Sequence, residues 1–161
     1  MTWFLIILLS AVIIGVALYI RKTKDDQLIA AGKIIKRSGS FYEEEEIFST
    51  AADYENLKII FSKLDMSEMK VTVYPDLEGK RIILFKSGFA WNAVLRDLGV
   101  KNGKNTLSFS FAKWKKKDGS LININSMNML ETHVEKAILS LDPSAQVEVH
   151  KMQLDIKTKI L

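Results

Sequence analysis

Residues Asn105 to Trp114 read NTLSFSFAKW, with Leu107, Phe109 and Phe111 at every second position and Ser108 and Ser110 between them. Successive side chains of an extended chain point to opposite faces, so this alternation predicts a β-strand with one apolar and one polar face. Asp118-Gly119 lies just beyond it. That pair suits a tight hairpin turn, whose central residues need positive φ, and it leads into an expected strand over Leu121 to Asn125. Upstream, Lys70 to Tyr74 and Arg81 to Phe85 read as two more strands around a Pro75 to Gly79 connection. Between them and the first strand, Phe89 to Leu98 leaves helix and strand both open: Gly99 could close a helix, and Asn102-Gly103 could turn a strand.

Helical spacing flanks these strands. Tyr54, Leu57, Ile60, Phe61 and Leu64 recur three and four residues apart behind a Thr50/Asp53 capping pattern. They predict a helix of about fourteen residues. A second helix is expected from about Asn128, capped through Glu131, with Leu130, Val134, Ala137, Ile138 and Leu141 inward and Asp142-Pro143 as its stop. Val147 and Val149, then Leu154, Ile156 and Ile160, suggest one or two closing strands. Helices bracketing hairpins predict an α+β domain of two layers, a mostly antiparallel sheet with helices on one face.

The N-terminus has a different character. Thr2 to Ile20, TWFLIILLSAVIIGVALYI, contains no charge, and Trp3 and Tyr19 stand near its two ends. At about 1.5 Å per helical residue the run matches a hydrocarbon layer of roughly 30 Å, and aromatic rings favour its two interfaces. A cleaved signal peptide would need a basic start and a shorter apolar core. No Lys or Arg precedes the run, whereas Arg21 and Lys22 follow it at once. The expectation is one uncleaved transmembrane helix with Trp3, Tyr19, Arg21 and Lys22 as interfacial anchors. Basic flanks are retained on the cytoplasmic side, so the N-terminus is expected outside and the C-terminal domain in the cytoplasm of a cell-membrane protein. Ala11 and Gly15 form a small-xxx-small pair, too common in apolar segments to predict helix pairing.

Charge subdivides the chain further. Residues 21–37 hold six basic residues against Asp25 and Asp26, Glu43 to Glu46 are four acids in a row, and Ile47 to Leu161 carry 17 basic and 13 acidic residues. Thr23 to Arg37 reads as a basic amphipathic helix capped by Thr23, either lying on the membrane or continuing the anchor as a stalk. Ser38-Gly39-Ser40 then reads as a hinge. The four glutamates are expected to be a solvated stretch, because consecutive carboxylates diverge instead of converging on a cation. The division is therefore a span over 2–20, a basic juxtamembrane segment, linker and acidic stretch over 21–46, and a soluble α+β domain over 47–161.

No recognisable chemistry emerges from this pattern. Cysteine is absent. That excludes disulfides and thiolate ligands. The two histidines, His133 and His150, fall on an expected helix and an expected strand end with no nucleophile pattern beside them. Asp76 and Glu78 sit in a Pro/Gly connection, where solvated acids are usual. No catalytic, cofactor or metal site is assigned.

The distinctive stretch is Lys101 to Lys117, with six lysines and no acid. Phe109 and Phe111 share the face of Leu107 and read as core. This disfavours a nucleic-acid platform, which would need exposed rings to stack on bases. Lys113, Trp114, Lys115, Lys116 and Lys117 are instead the candidate contact with an anionic membrane surface or a protein partner. The sequence thus points to a membrane-anchored interaction module, ahead of a tethered small-ligand sensory domain and, behind both, a tethered enzyme.

Overall fold

The computed structural model describes residues 2–152, without the side chains of Thr2, Phe4, Leu5, Leu8 and Arg21. The expected strand positions Leu154, Ile156 and Ile160 lie outside the described residues, as does the Arg21 side chain. Two compact units are present, Met1–Lys36 and Arg37–Leu161.

The first unit is one helix, α1, Thr2–Ala30. It runs past the basic flank without a break, so Thr23 does not start a helix as a cap; its hydroxyl donates to Tyr19 O at 2.9 Å, one turn back. Gly32 ends α1. With φ +65° it lets its own N–H reach Ile29 O at 2.8 Å and the Lys33 N–H reach Leu28 O at 2.9 Å. This pair of bonds satisfies carbonyls that the helix end would leave open, and a glycine adopts the left-handed conformation without steric cost. Residues 21–30 therefore continue the N-terminal helix, and residues 31–36 do not. Among the described residues no helix is long and apolar enough to cross a membrane.

The second unit is α+β. Its elements are β1 (Glu44–Thr50), α2 (Tyr54–Lys63), β2 (Thr72–Tyr74), β3 (Ile82–Ser87), β4 (Trp91–Lys101), β5 (Lys104–Trp114), β6 (Lys116–Lys117), β7 (Ser120–Leu121), α3 (Ile124–Leu141) and β8 (Gln146–Lys151). Six strands make one sheet in the order β2-β3-β4-β5-β1-β8, with every neighbouring pair antiparallel. β6 and β7 form a separate hairpin. Its turn is Asp118-Gly119, with φ +51° and +77°, as the sequence predicts. Asn102-Gly103 turns β4 into β5 in the same way, with φ +52° and +77°.

Register shows that both helices lie on one face. Phe85 stands opposite Ala93, Ala93 opposite Phe111, and Phe109 opposite Glu46. Opposed residues and residues two apart share a face, so Phe85, Phe109, Phe111, Glu46 and Phe48 look the same way. α2 meets that face through the Phe61 ring, 5.3 Å from Phe85 and edge-on. α3 meets it through Glu131, which joins Glu46 on a shared arginine, Arg37. Ile83, Phe85, Leu95, Leu107, Phe109 and Leu130 are at most 1% exposed and form the core.

The structure decides one open stretch and corrects several expectations. Phe89 to Leu98, open between helix and strand in the sequence, is mostly strand. Ala93 and Leu95 occupy the core face while partner strands lie on both sides, and Gly99 (φ +84°) sits where the β4-β5 register shifts instead of ending a helix. α3 begins at Ile124, inside the strand expected over Leu121 to Asn125, because Asn123 turns the chain with φ +61° and Met127 is buried. α2 spans ten residues, capped by Asp53 and not by Thr50. The Asp53 carboxylate accepts the Asn56 N–H at 2.9 Å, so Asp53→Ala should lower stability by about 1 kcal/mol in a urea titration.

The largest departure is the acidic run. Glu44 to Glu46 open β1, an interior strand between β5 and β8, and Glu46 is 4% exposed. The acidic run thus lies within the compact unit Arg37–Leu161.

Candidate functional site

The segment Lys113 to Lys117 leaves the end of β5 and enters the β6-β7 hairpin, so strand pairing places it at one end of the sheet. Lys113, Lys115, Lys116 and Lys117 are exposed and Trp114 is half-buried. Trp114 packs edge-on against Tyr42, with centroids 5.3 Å apart, and Lys116 Nζ stands 5.4 Å from the centre of the Tyr42 ring. Trp114 is thus a local packing residue, and the lysines are what the segment presents outward. Tyr42 also meets Phe41, which packs on Phe111 at 5.9 Å. The chain's entry into this unit is therefore fastened at the end of the sheet that carries the lysines.

One residue at this end was not singled out by the sequence reading. Phe89 is 90% exposed, the most exposed large apolar side chain among the described residues. It occupies the turn from β3 to β4, closed by the Ala90 N–H on Ser87 O at 2.9 Å, with Gly88 at φ +49°. The Lys115 N–H donates to Ala90 O at 2.8 Å, and Lys115 Nζ lies 5.6 Å from the Phe89 ring centre. Across the strands, Lys86 is opposite Asn92 and Asn92 opposite Lys113. The turn and the end of β5 thus bring one exposed ring and four lysines to one end of the sheet, while Lys86, on β3 just before the turn, holds its Nζ 5.1 Å from the centre of the Tyr74 ring. Gly88 beside a large apolar residue between two strand patterns was the available signal, obscured because the strand pattern of β4 was itself ambiguous.

A second cluster was also illegible in sequence. Arg37 reaches Glu135 with two bonds (Nη1 to Oε1 3.2 Å, Nη2 to Oε2 2.7 Å), Glu46 Oε1 at 3.3 Å, Glu131 Oε2 at 3.1 Å and Asn128 Oδ1 at 3.1 Å. Three carboxylates thus surround one guanidinium, and the Arg37, Glu46 and Glu131 side chains are at most 8% exposed. Burial, then the charges of Glu131 and Glu135, push the Glu46 carboxyl up to about 9, with Arg37 opposing. Burial raises Glu131 to about 7, again against Arg37. Glu46 Oε2 finds no hydrogen-bond partner among the described residues. A protonated Glu46 relieves that arrangement, because it removes one of the three negative charges held around a single positive one.

Elsewhere polar groups are committed to the fold. Asp142 accepts from the Thr50 hydroxyl, the Ala51 N–H and Ser144, led by the Ser144 hydroxyl at 2.6 Å. These bonds hold its carboxyl well below the usual range. Asp76 accepts the Arg81 N–H and Glu78 pairs with Lys80 at 2.6 Å, so these loop acids serve the connection. His133 Nδ1 contacts Met129 O on its own helix, and His150 is exposed beside Glu148. Among the described residues no group of three His, Cys, Asp or Glu side chains could hold a metal ion. Two clefts of about 520 and 450 Å³ open to solvent, the first beside Phe61, Met66 and Val73, the second beside Ile47, Lys101 and Lys104.

No protein family, curated protein or solved structure matches the chain.

Proposed function

We propose that this chain is a single-pass membrane-anchored interaction module, held by Thr2–Ile20, with its C-terminal unit working at the cytoplasmic membrane surface. The supporting observation is the surface of α1. From Trp3 to Ile20 every large apolar side chain described is half exposed or more, on all sides of the helix. A helix apolar all round belongs inside a large core or inside a bilayer, and the first unit offers no such core. Counted with Thr2, Phe4, Leu5 and Leu8, whose side chains are not described, the uncharged run is nineteen residues. Ser10 fits this role because its hydroxyl donates to Ile6 O at 2.8 Å, satisfying itself within the helix. Lys22 and Lys24 follow on the same continuous helix and set the direction by the positive-inside rule.

Alkaline carbonate extraction of membranes from cells expressing the full chain tests the anchor. The chain should stay in the pellet, and Ile13→Arg at the middle of the run should release it, since an arginine there costs about 2.5–3.5 kcal/mol of insertion. Extraction of the unaltered chain would overturn the reading. The chain has no cysteine, so Ser120→Cys gives a single thiol on the β6-β7 hairpin. An impermeant maleimide should leave it unlabelled in intact cells; labelling would reverse the orientation.

A further inference from the structure

We infer that the Ser87–Ala90 turn and the Lys113–Lys117 segment form a lipid-docking tip, in which Phe89 enters the headgroup boundary of an anionic leaflet and Lys113, Lys115, Lys116 and Lys117 meet its phosphates.

Three observations carry this. First, Phe89 is 90% exposed on a turn fixed at both ends, by the Ala90 to Ser87 bond and by the Lys115 to Ala90 bond. The ring is thus held outward by backbone geometry, and ordering it costs little on docking. Second, its neighbourhood is basic: Lys115 Nζ lies 5.6 Å from the Phe89 ring centre, and the exposed Lys113–Lys117 segment carries four lysines and no acid. A single ring beside a cationic segment suits a leaflet, which offers apolar depth below a plane of phosphates; a protein groove rewards a wider apolar patch. Lysine stems can lie along the apolar boundary while their ammonium groups meet the phosphates, and the Lys115 ammonium already stands 5.6 Å from the Phe89 ring centre. Each lysine near an anionic surface strengthens partitioning about fivefold. Third, the tip shares an end of the sheet with the chain's entry, since Tyr42 packs on Trp114 and lies under Lys116. This last point rests on the anchor proposed above. Roughly twenty residues separate Ile20 from Tyr42, and so short a tether keeps the tip at high effective concentration beside the leaflet.

The full chain is reconstituted in unilamellar vesicles of phosphatidylcholine alone or with phosphatidylglycerol. It carries one cysteine at Phe89 (F89C) or, at the opposite end of the sheet, at Lys101 (K101C), each labelled with an environment-sensitive fluorophore. Vesicle flotation at neutral pH reports the anchor separately. The expected result is flotation with both vesicle types. The label at 89 should shift to the blue and be quenched by spin-labelled lipid only in anionic vesicles, while the label at 101 stays in water. Changing Lys115, Lys116 and Lys117 together to glutamate should return the label at 89 to water. A chain that floats with both vesicles while the label at 89 stays in water overturns the tip and leaves the anchor standing. Equal burial of that label in both vesicle types also overturns the tip. Flotation with anionic vesicles alone, with the label at 89 buried, supports the tip and overturns the anchor. Flotation with neither overturns both.

Discussion

Arg37→Ala is expected to destabilise the second unit by about 3–5 kcal/mol at pH 8, because it strands three carboxylates in a buried site with no cation. The loss should shrink as pH falls, since Glu46 and Glu131, both raised by burial, then hold protons and the repulsion around the site falls. The unaltered chain should show the same trend more weakly. Glu46 and Glu131 ionise near pH 9 and 7 in the folded chain, against an ordinary 4.5. An acid whose folded value is raised holds its proton more tightly when folded. Its contribution is therefore complete below about pH 4.5 and is lost as pH rises through the folded values. Urea midpoints of the full chain in detergent, followed by near-ultraviolet circular dichroism between pH 5 and 9, measure this. Glu46→Gln should flatten the slope and raise the midpoint at pH 8; a midpoint independent of pH in the unaltered chain would refute the account.

Phe109→Ala should cost a similar 3–5 kcal/mol for a different reason. Phe109 is 1% exposed on β5, and its ring meets those of Phe111 and Phe85 edge-on at 5.4 and 6.4 Å. Truncation opens a cavity in a rigid sheet that cannot collapse around it, and it breaks two ring pairs as well. Unlike the Arg37 substitution, this loss should be the same at pH 5 and pH 8, because no ionisable group is involved. Phe89→Ala is the internal comparison: the same chemical change at a 90% exposed ring should move the midpoint by no more than about 0.5 kcal/mol. Equal losses at the two positions would contradict the assignment of core and surface.

The Arg37 cluster also explains why the entry to this unit is ordered. Residues 37–42 contain a Ser-Gly-Ser stretch that on its own reads as a hinge. Yet Arg37 is clamped by α3 and β1 on one side of it, and Phe41 and Tyr42 are buried against Phe111 and Trp114 on the other. Tertiary partners at both ends override the local preference of small residues for disorder.

The sequence by itself determined whatever depends on neighbours in the chain. The period-two pattern of Leu107, Phe109 and Phe111 specifies a strand because alternation is a property of the extended backbone. Asp118-Gly119 specifies a hairpin because those residues tolerate positive φ. Tyr54, Leu57 and Phe61 specify a helix, and Asp142-Pro143 ends one. What only the tertiary structure decided is what depends on residues far apart in sequence. Four consecutive glutamates read as solvated until Arg37 and α3 make one of them a buried strand residue. Phe89 to Leu98 could be helix or strand until β3 and β5 supply partners on both sides. The tip itself needs the β3-β4 turn and the end of β5, more than twenty residues apart, to be brought together by sheet register. Periodicity encodes which face a residue takes within its own element, whereas burial of charge and the company of an exposed ring are set by which elements the fold makes neighbours.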